Sequence, residues 1–323
     1  MTILPFIERR ALLGLAAAVS ALPGLARAGE GRELESMEIW PGQPPGGDGV
    51  TVTESVIART PGGDPDDTAF LNVRRPRLMM RRPTRPNGAA LLMIPGGGYR
   101  RVAVSRKGGA IDAWIASLGV TAFVMTYRLP ADGWVAGPDV ALQDAQRAMR
   151  LIRAKAPALG LDRERVGVVG FSAGGHIAAR LATRFEHDAY DPVDEADALS
   201  TRPAAAGLFY PVITLTEPYA HTGSVTELLG TGADTAARLA VSAEQHVPVS
   251  TPPVFIAAAA DDRVVPVENS LMMWEALRRR GIASEMHLFE IGGHGFGLGG
   301  DMGAPLAPWP GLLDAFLKRH DLY

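Results

Sequence analysis

The sequence predicts an α/β protein: a mostly parallel central sheet with helices on both faces and a small cap segment. Three observations predict it. From about residue 89, short apolar runs alternate with longer stretches of helical periodicity. The runs are apolar throughout rather than at every second residue, which marks strands buried on both faces, as in a parallel sheet. The glycine clusters and the best-placed reactive side chains follow directly on those runs.

Bulk composition narrows the chemistry. With 323 residues and 47% hydrophobic content, one large core is enough for a single catalytic domain. The formal net charge is −3 and the basic residues are scattered, so neither a nucleic-acid stripe nor a polybasic membrane segment is expected. On those grounds the partner is a neutral small molecule or polymer. The absence of cysteine removes disulfides, thiolate metal sites, a cysteine nucleophile and a lipoprotein attachment point. Oxygen and imidazole must carry the reaction, with no cofactor and no metal expected.

Residues 1–28 read as an export signal. Arg9 and Arg10 precede the apolar stretch ALLGLAAAVSAL, and the small-residue pattern Ala26-Arg27-Ala28 closes it. ERRALLG resembles a twin-arginine signal with Glu8 where Ser or Thr is usual, and the general secretory route is the alternative. The apolar run is shorter than the roughly 20 residues of a membrane span. The expected location is therefore periplasmic or extracellular, with cleavage before Gly29 or Glu30 and no stable membrane anchor.

Residues 29–87 first show the Gly- and Pro-rich lead-in WPGQPPGGDG (40–49). The strand candidates VTVTESVIA, FLNV and PRLMM follow, and are expected to form an antiparallel sheet edge. Residues 88–323 form the catalytic domain. AALLMIP, TAFVMTY, VGVVGF, AAGLFYP, PPVFIAAAA and EMHLFE are its strands, and GAIDAWIASLG, VALQDAQRAMRLIRAKAPALG, VENSLMMWEALRRRG and GLLDAFLKRH its helices. Within the long helix, Leu142, Ala145, Ala148, Met149 and Ile152 fall at helical spacing and face the core.

Ser172 sits in Gly170-Phe171-Ser172-Ala173-Gly174, where a strand ends and a helix begins. A serine on so sharp a turn is crowded by the residues two before and two after it, and glycine relieves both clashes. A serine hydroxyl needs a base and an acid to orient that base. Of the seven histidines, His294 in IGGHGFG has the best location, a glycine-flanked loop behind the last strand. His176, four residues past Ser172, is close but poorly aimed in the following helix. Asp262 in AAADDRVVP is the expected acid, selected by the spacing D-x-x-V-P, and Asp261 is expected to be a turn or capping residue. The order Ser172, Asp262, His294 is that of α/β-hydrolases. Oxyanion donors are expected from the Ala173 amide and from Gly97 or Gly98 in MIPGGGYR.

PGGGY (95–99), YRLP (127–130), QDAQRA (143–148), GFSAGGH (170–176), YPV (210–212), DDRVVPVENS (261–270) and GGHGFG (292–297) together resemble bacterial α/β-hydrolases of the acetyl esterase and acetylxylan esterase type. Related sequences are labelled xylanase or dienelactone hydrolase-like. The resemblance spans residues 88–320 and implies an α/β-hydrolase fold, a Ser172–Asp262–His294 triad and an oxyanion hole in the GGG loop. Pro95 stands where hormone-sensitive-lipase-like esterases carry histidine, and Lys107 where an acidic residue is usual.

Residues 213–248 are long enough for a small cap, and their mixed composition does not suit a lipid surface. Tyr99, Trp134 and Tyr219 are expected near the catalytic edge, where they could stack on sugar rings. The function implied is a secreted serine esterase removing short acyl groups, foremost acetyl, from a carbohydrate such as acetylated xylan. A general short-chain carboxylesterase and a prolyl-oligopeptidase-type peptidase are the alternatives, although the chain is too short for a propeller domain.

Overall fold

The computed structural model describes residues 33–298, 306 and 308–323. The expected export signal and its cleavage point lie outside the described residues. The chain divides into two units, residues 1–30 and Gly31–Tyr323, and everything below concerns the second.

Among the described residues, ten strands and seven α-helices follow in order. They are β1 (Glu35–Glu38), β2 (Ser55–Ala58), β3 (Thr68–Leu71), β4 (Arg77–Arg81), β5 (Ala90–Ile94), α1 (Ala110–Ser117), β6 (Thr121–Met125), α2 (Val140–Leu159) and β7 (Val166–Phe171). Then come α3 (Ala173–Thr183), β8 (Ala206–Phe209), α4 (Thr222–Leu229), α5 (Thr235–Val241), β9 (Val254–Ala259), α6 (Glu268–Arg279), β10 (Ser284–Phe289) and α7 (Trp309–Arg319).

Eight strands form one sheet in the order β1-β4-β6-β5-β7-β8-β9-β10. From β6 to β10 every pairing is parallel, whereas β4 runs antiparallel to both β1 and β6. The central strands β5, β6, β7, β8 and β9 are buried along their whole length, which is why their sequences are unbroken apolar runs. This is the α/β-hydrolase architecture that the motifs imply.

The N-terminal region differs from expectation. PRLMM supplies β4 of the main sheet, but VTVTESVIA and FLNV supply β2 and β3, a separate two-stranded antiparallel ribbon. The outermost strand of the main sheet is instead β1, in a stretch whose polarity hides it. It carries Glu35 and Glu38 at its ends and is exposed at three of four positions, as suits a charged edge strand. Glu38 and Glu35 pair with Arg75 and Arg82, beside β4.

Two motifs of the resemblance hold the fold rather than the site. Arg128 and Asp144 form a fully buried ion pair at 2.8 Å, with Trp40 Nε1 donating to the same carboxylate at 2.8 Å. Arg128 Nη1 also donates to Pro45 O and Nη2 to Gln143 Oε1, so the buried charge is paired and hydrogen-bonded. On α2, the five positions read as core-facing are all buried.

The chain steps from β5 outward to β6 and then back across β5 to β7, so the strand order reverses between the carboxyl ends of β5 and β7. In open α/β sheets a crevice opens at such a reversal and receives the ligand. The GGG loop leaves β5 there, and Ser172 leaves β7 beside it.

Candidate active site

Ser172 occupies the turn between β7 and α3 with φ 54° and ψ −120°, a conformation disfavoured for a residue with a side chain and costing about 1–3 kcal/mol. Its surroundings hold it there. Ser172 N donates to Phe209 O on β8, and Ser172 O accepts from the amides of His176 and Val212. A Cβ on Gly170 would meet the Gly174 carbonyl and lie 2.7 Å from Ala178 Cβ, and one on Gly174 would run into the carbonyls of Ile94 and Pro95. Glycine at these positions therefore lets α3 close onto the end of β5.

That close approach brings the GGG loop to the elbow. A Cβ on Gly96 would lie 2.9 Å from Phe171 O and 3.1 Å from Ser172 Cβ. The Tyr127 hydroxyl fixes the loop from behind by donating to Pro95 O at 2.9 Å. Among the described residues, the amides of Gly97, Gly98 and Ala173 take no hydrogen-bond partner, and Ala173 opens α3. Unpaired amides at a helix N-terminus beside a glycine loop suit an anion.

From β9 and β10 come the other two expected residues. His294 Nε2 lies 2.8 Å from Ser172 Oγ, and His294 Nδ1 lies 2.7 Å from Asp262 Oδ2. Asp262 Oδ1 accepts from the amides of Val264 and Val265 at 2.8 and 3.0 Å. Burial raises the Asp262 pKa, but hydrogen bonds from His294 and the two amides outweigh it and hold it below the usual carboxylate value. An ionised Asp262 fixes the imidazole proton on Nδ1 and leaves Nε2 free to accept from the serine. The Tyr210 and His294 rings meet edge to face, with centroids 5.0 Å apart.

Asp261 lies in the turn after β9, one of the two roles expected, and caps no helix. Its Oδ1 accepts from Gly292 N at 2.8 Å and Gly293 N at 2.7 Å, tying the loop that carries His294 to the end of β9. The two adjacent aspartates thus fix different parts of one histidine, with Asp261 holding its backbone and Asp262 its ring. His176 is buried, with Nδ1 2.6 Å from the Tyr99 hydroxyl and Nε2 2.8 Å from Val241 O, so it belongs to the core.

The three aromatic candidates do not line the crevice. Tyr99 is fully buried under the GGG loop on His176. Trp134 is buried against Arg128 and borders a separate groove with Gln43, Pro44, Arg74 and Arg75. Tyr219 is exposed, and its carbonyl accepts from Asn269. The cap segment instead contributes His221, just ahead of α4. It lines both the Ser172 crevice of about 520 Å³ and an adjoining cleft of about 700 Å³. His221 Nδ1 accepts from Ser224 N at 3.2 Å, which places the proton of the neutral ring on Nε2. Burial, then the nearby His294, lower its pKa, so it stays neutral and offers one N–H donor. Its signal in the sequence is its position ahead of Thr222-Gly223-Ser224, a helix-capping slot.

The BD-FAE family profile matches residues 79–277. The chain is 37% identical over 211 residues to endo-1,4-beta-xylanase B of Butyrivibrio fibrisolvens, covering 65% of this chain and 33% of that protein. It is 31% identical over 221 residues to an acetylxylan esterase of Xylanibacter ruminicola, covering 67% of this chain and 43% of that one. The chain thus spans less than half the length of these curated relatives. Among solved structures, an acetyl ester-xyloside bifunctional hydrolase from Caldicellulosiruptor lactoaceticus superposes with a TM-score of 0.71 at 31% identity, over 89% of this chain and 96% of that one. Esterase 2 of Thermogutta terrifontis, phosphonylated by sarin, superposes with a TM-score of 0.63 at 25% identity, over 82% of this chain and 98% of that one.

Proposed function

Because this chain belongs to the BD-FAE family and folds as an α/β-hydrolase, we propose that it is a serine esterase that removes short acyl groups, foremost acetyl, from xylose-based carbohydrate. The observation that carries the reading is the unbroken chain of hydrogen bonds Ser172–His294–Asp262 at the mouth of a crevice. Ser172 Oγ attacks the ester carbonyl and its proton passes to His294 Nε2. The Ala173 amide and that of Gly97 or Gly98 receive the oxyanion. The imidazolium then protonates the departing sugar alcohol, and water attacks the acyl-serine by the same route in reverse, releasing the acid. Acetyl as the acyl group and xylose as the sugar are supported by the acetylxylan esterase and acetyl ester-xyloside relatives. Reactivity toward a fluorophosphonate is supported by the phosphonylated neighbour.

The test is a series of p-nitrophenyl esters on the purified protein, with fluorophosphonate labelling of Ser172 as the second readout. kcat/KM is expected to peak at acetyl or propionyl and fall by butyryl to hexanoyl, and acetylated xylo-oligosaccharides should be cleaved faster than triacylglycerols. A maximum at octanoyl or longer would make the protein a lipase, and no labelling would remove the serine mechanism. Export is part of the proposal: protein recovered from the native host should begin near Gly29 or Glu30, and an intact cytoplasmic chain would overturn that part alone.

A further inference from the structure

The crevice that holds Ser172 is charged in a way the whole chain is not. Among the described residues, Arg59, Arg100 and Arg101 line it, and no aspartate or glutamate does. The adjoining cleft is lined by Asp262, Arg263 and Glu268, so the excess of cations is confined to the Ser172 side. The chain as a whole carries a formal charge of −3. Arg59, immediately after β2, is held by Asp67 at 2.9 Å. Among the described residues, Arg100 and Arg101 form no ion pair with any acid, and both follow the GGG loop with Tyr99 between. The stem of Arg101 rests against that loop, its Cγ 3.2 Å from where a Cβ on Gly97 would sit. A pair of arginines with no acid partner among the described residues, lining the same crevice as Gly97 and Gly98, raises the local concentration of anions and offers bidentate contacts to a carboxylate.

We propose that the Ser172 crevice selects esters bearing a carboxylate close to the scissile bond, with Arg100 and Arg101 as its recognition groups and Arg59 closing the rim. This rests on the esterase reading and narrows its substrate class. The carboxylate can belong to the alcohol, as in an acetylated uronate sugar, or to the acyl group, as in a half-ester of a dicarboxylic acid. No bond is made or broken at the arginines; they bind an anion while Ser172 performs the acyl transfer.

The experiment compares kcat/KM within two matched pairs of probes on the same enzyme preparation. One pair is acetylated methyl xyloside against acetylated methyl glucuronoside; the other is p-nitrophenyl butyrate against the mono-p-nitrophenyl ester of succinic acid. At low salt, the anionic member of one pair is expected to be favoured by about tenfold or more. The pair that shows it identifies which side of the ester carries the carboxylate. The preference should fall toward unity in Arg100→Gln and Arg101→Gln, and also in 0.5 M salt, because exposed charges are screened. Since each ratio is internal to one preparation, partial unfolding of a variant does not distort it. Turnover of the neutral probes with no preference for either anionic one overturns the anion subsite and leaves the esterase reading standing. An anionic preference that survives both substitutions overturns the assignment to Arg100 and Arg101. Failure to cleave any of the four removes the esterase reading and this inference together.

Discussion

The two sides of the Ser172 crevice use glycine for opposite reasons. At the elbow, Gly170 and Gly174 are glycine for want of room, since a Cβ on either would strike backbone or a packed helix. In the loop that carries His294, Gly293 and Gly295 have φ of 59° and 81° and, among the described residues, nothing within 4 Å of where a Cβ would lie. There the requirement is backbone shape. Ser172 is thus mounted in the core of the sheet, and His294 on a loop whose backbone is held by the Asp261 carboxylate on one side and by Trp309 Nε1 donating to Gly297 O on the other. Fold stability and catalytic geometry are therefore expected to separate between the two sides.

The largest effects are on the reaction. Ser172→Ala and His294→Ala should each lower kcat by about 10⁴ or more. The thermal midpoint should change little, because neither side chain carries core packing. Activity within tenfold of wild type in either variant would reject that residue. Next come the glycines. Gly174→Ala forces a methyl against two backbone carbonyls that cannot move aside, and is expected to cost at least about 3 kcal/mol or to yield no soluble protein. Gly295→Ala meets open space and pays only for its positive φ, about 1–2 kcal/mol. Thermal melts of the two variants decide it: equal losses would mean that the His294 loop is packed as tightly as the elbow.

The adjacent aspartates sharpen the same contrast. Asp262→Asn should lose about 10⁴ in kcat, because the histidine loses the partner that sets its tautomer. Asp261→Asn leaves the ring's partner in place but loosens the backbone beneath it. A loss of about 10- to 100-fold is expected, the scale of a misplacement of roughly 1 Å. Steady-state kinetics on p-nitrophenyl acetate rank the two, and a larger loss at Asp261 would exchange their roles.

What is legible in the sequence follows the same division. Elbow, GGG loop and strand alternation are local patterns whose physical demands fall within a few residues, so they can be read directly. The role of Asp261 depends on a loop returning 31 residues later, and strand alternation says only which way a side chain points. Loop position alone puts Tyr99, Trp134 and Tyr219 near the catalytic edge, but Tyr99 is drawn under its own loop by His176, and Trp134 inward by Arg128. β1 is a strand in charged sequence, because at this edge only Met37 of its four residues packs against the core. The net charge of −3 averages away the three arginines that the fold gathers at Ser172.

The smallest predicted effect concerns the buried imidazole of His176, and is a slope rather than a loss. His176 titrates at about 3 in the folded protein: burial lowers it most, the Arg180 charge lowers it further, and the bond to Val241 O opposes both. In the unfolded chain it titrates near 6.5. Between those values the unfolded state binds one more proton than the native state, so stability rises with pH. The contribution of the neutral ring is fully present above about pH 6.5 and is lost as pH falls toward 3, at up to about 1.4 kcal/mol per unit. His176→Gln can keep a donor toward the Val241 carbonyl but cannot titrate. It should be less stable at pH 8, keep activity within about tenfold because no reacting atom is touched, and lose that part of the acid slope. Urea midpoints at pH 7, 6 and 5 for both proteins isolate the difference, since every other group is shared. Equal slopes would mean that His176 already carries its proton in the fold, and the separation between a core imidazole on the elbow helix and a reactive one on the loop after β10 would fail.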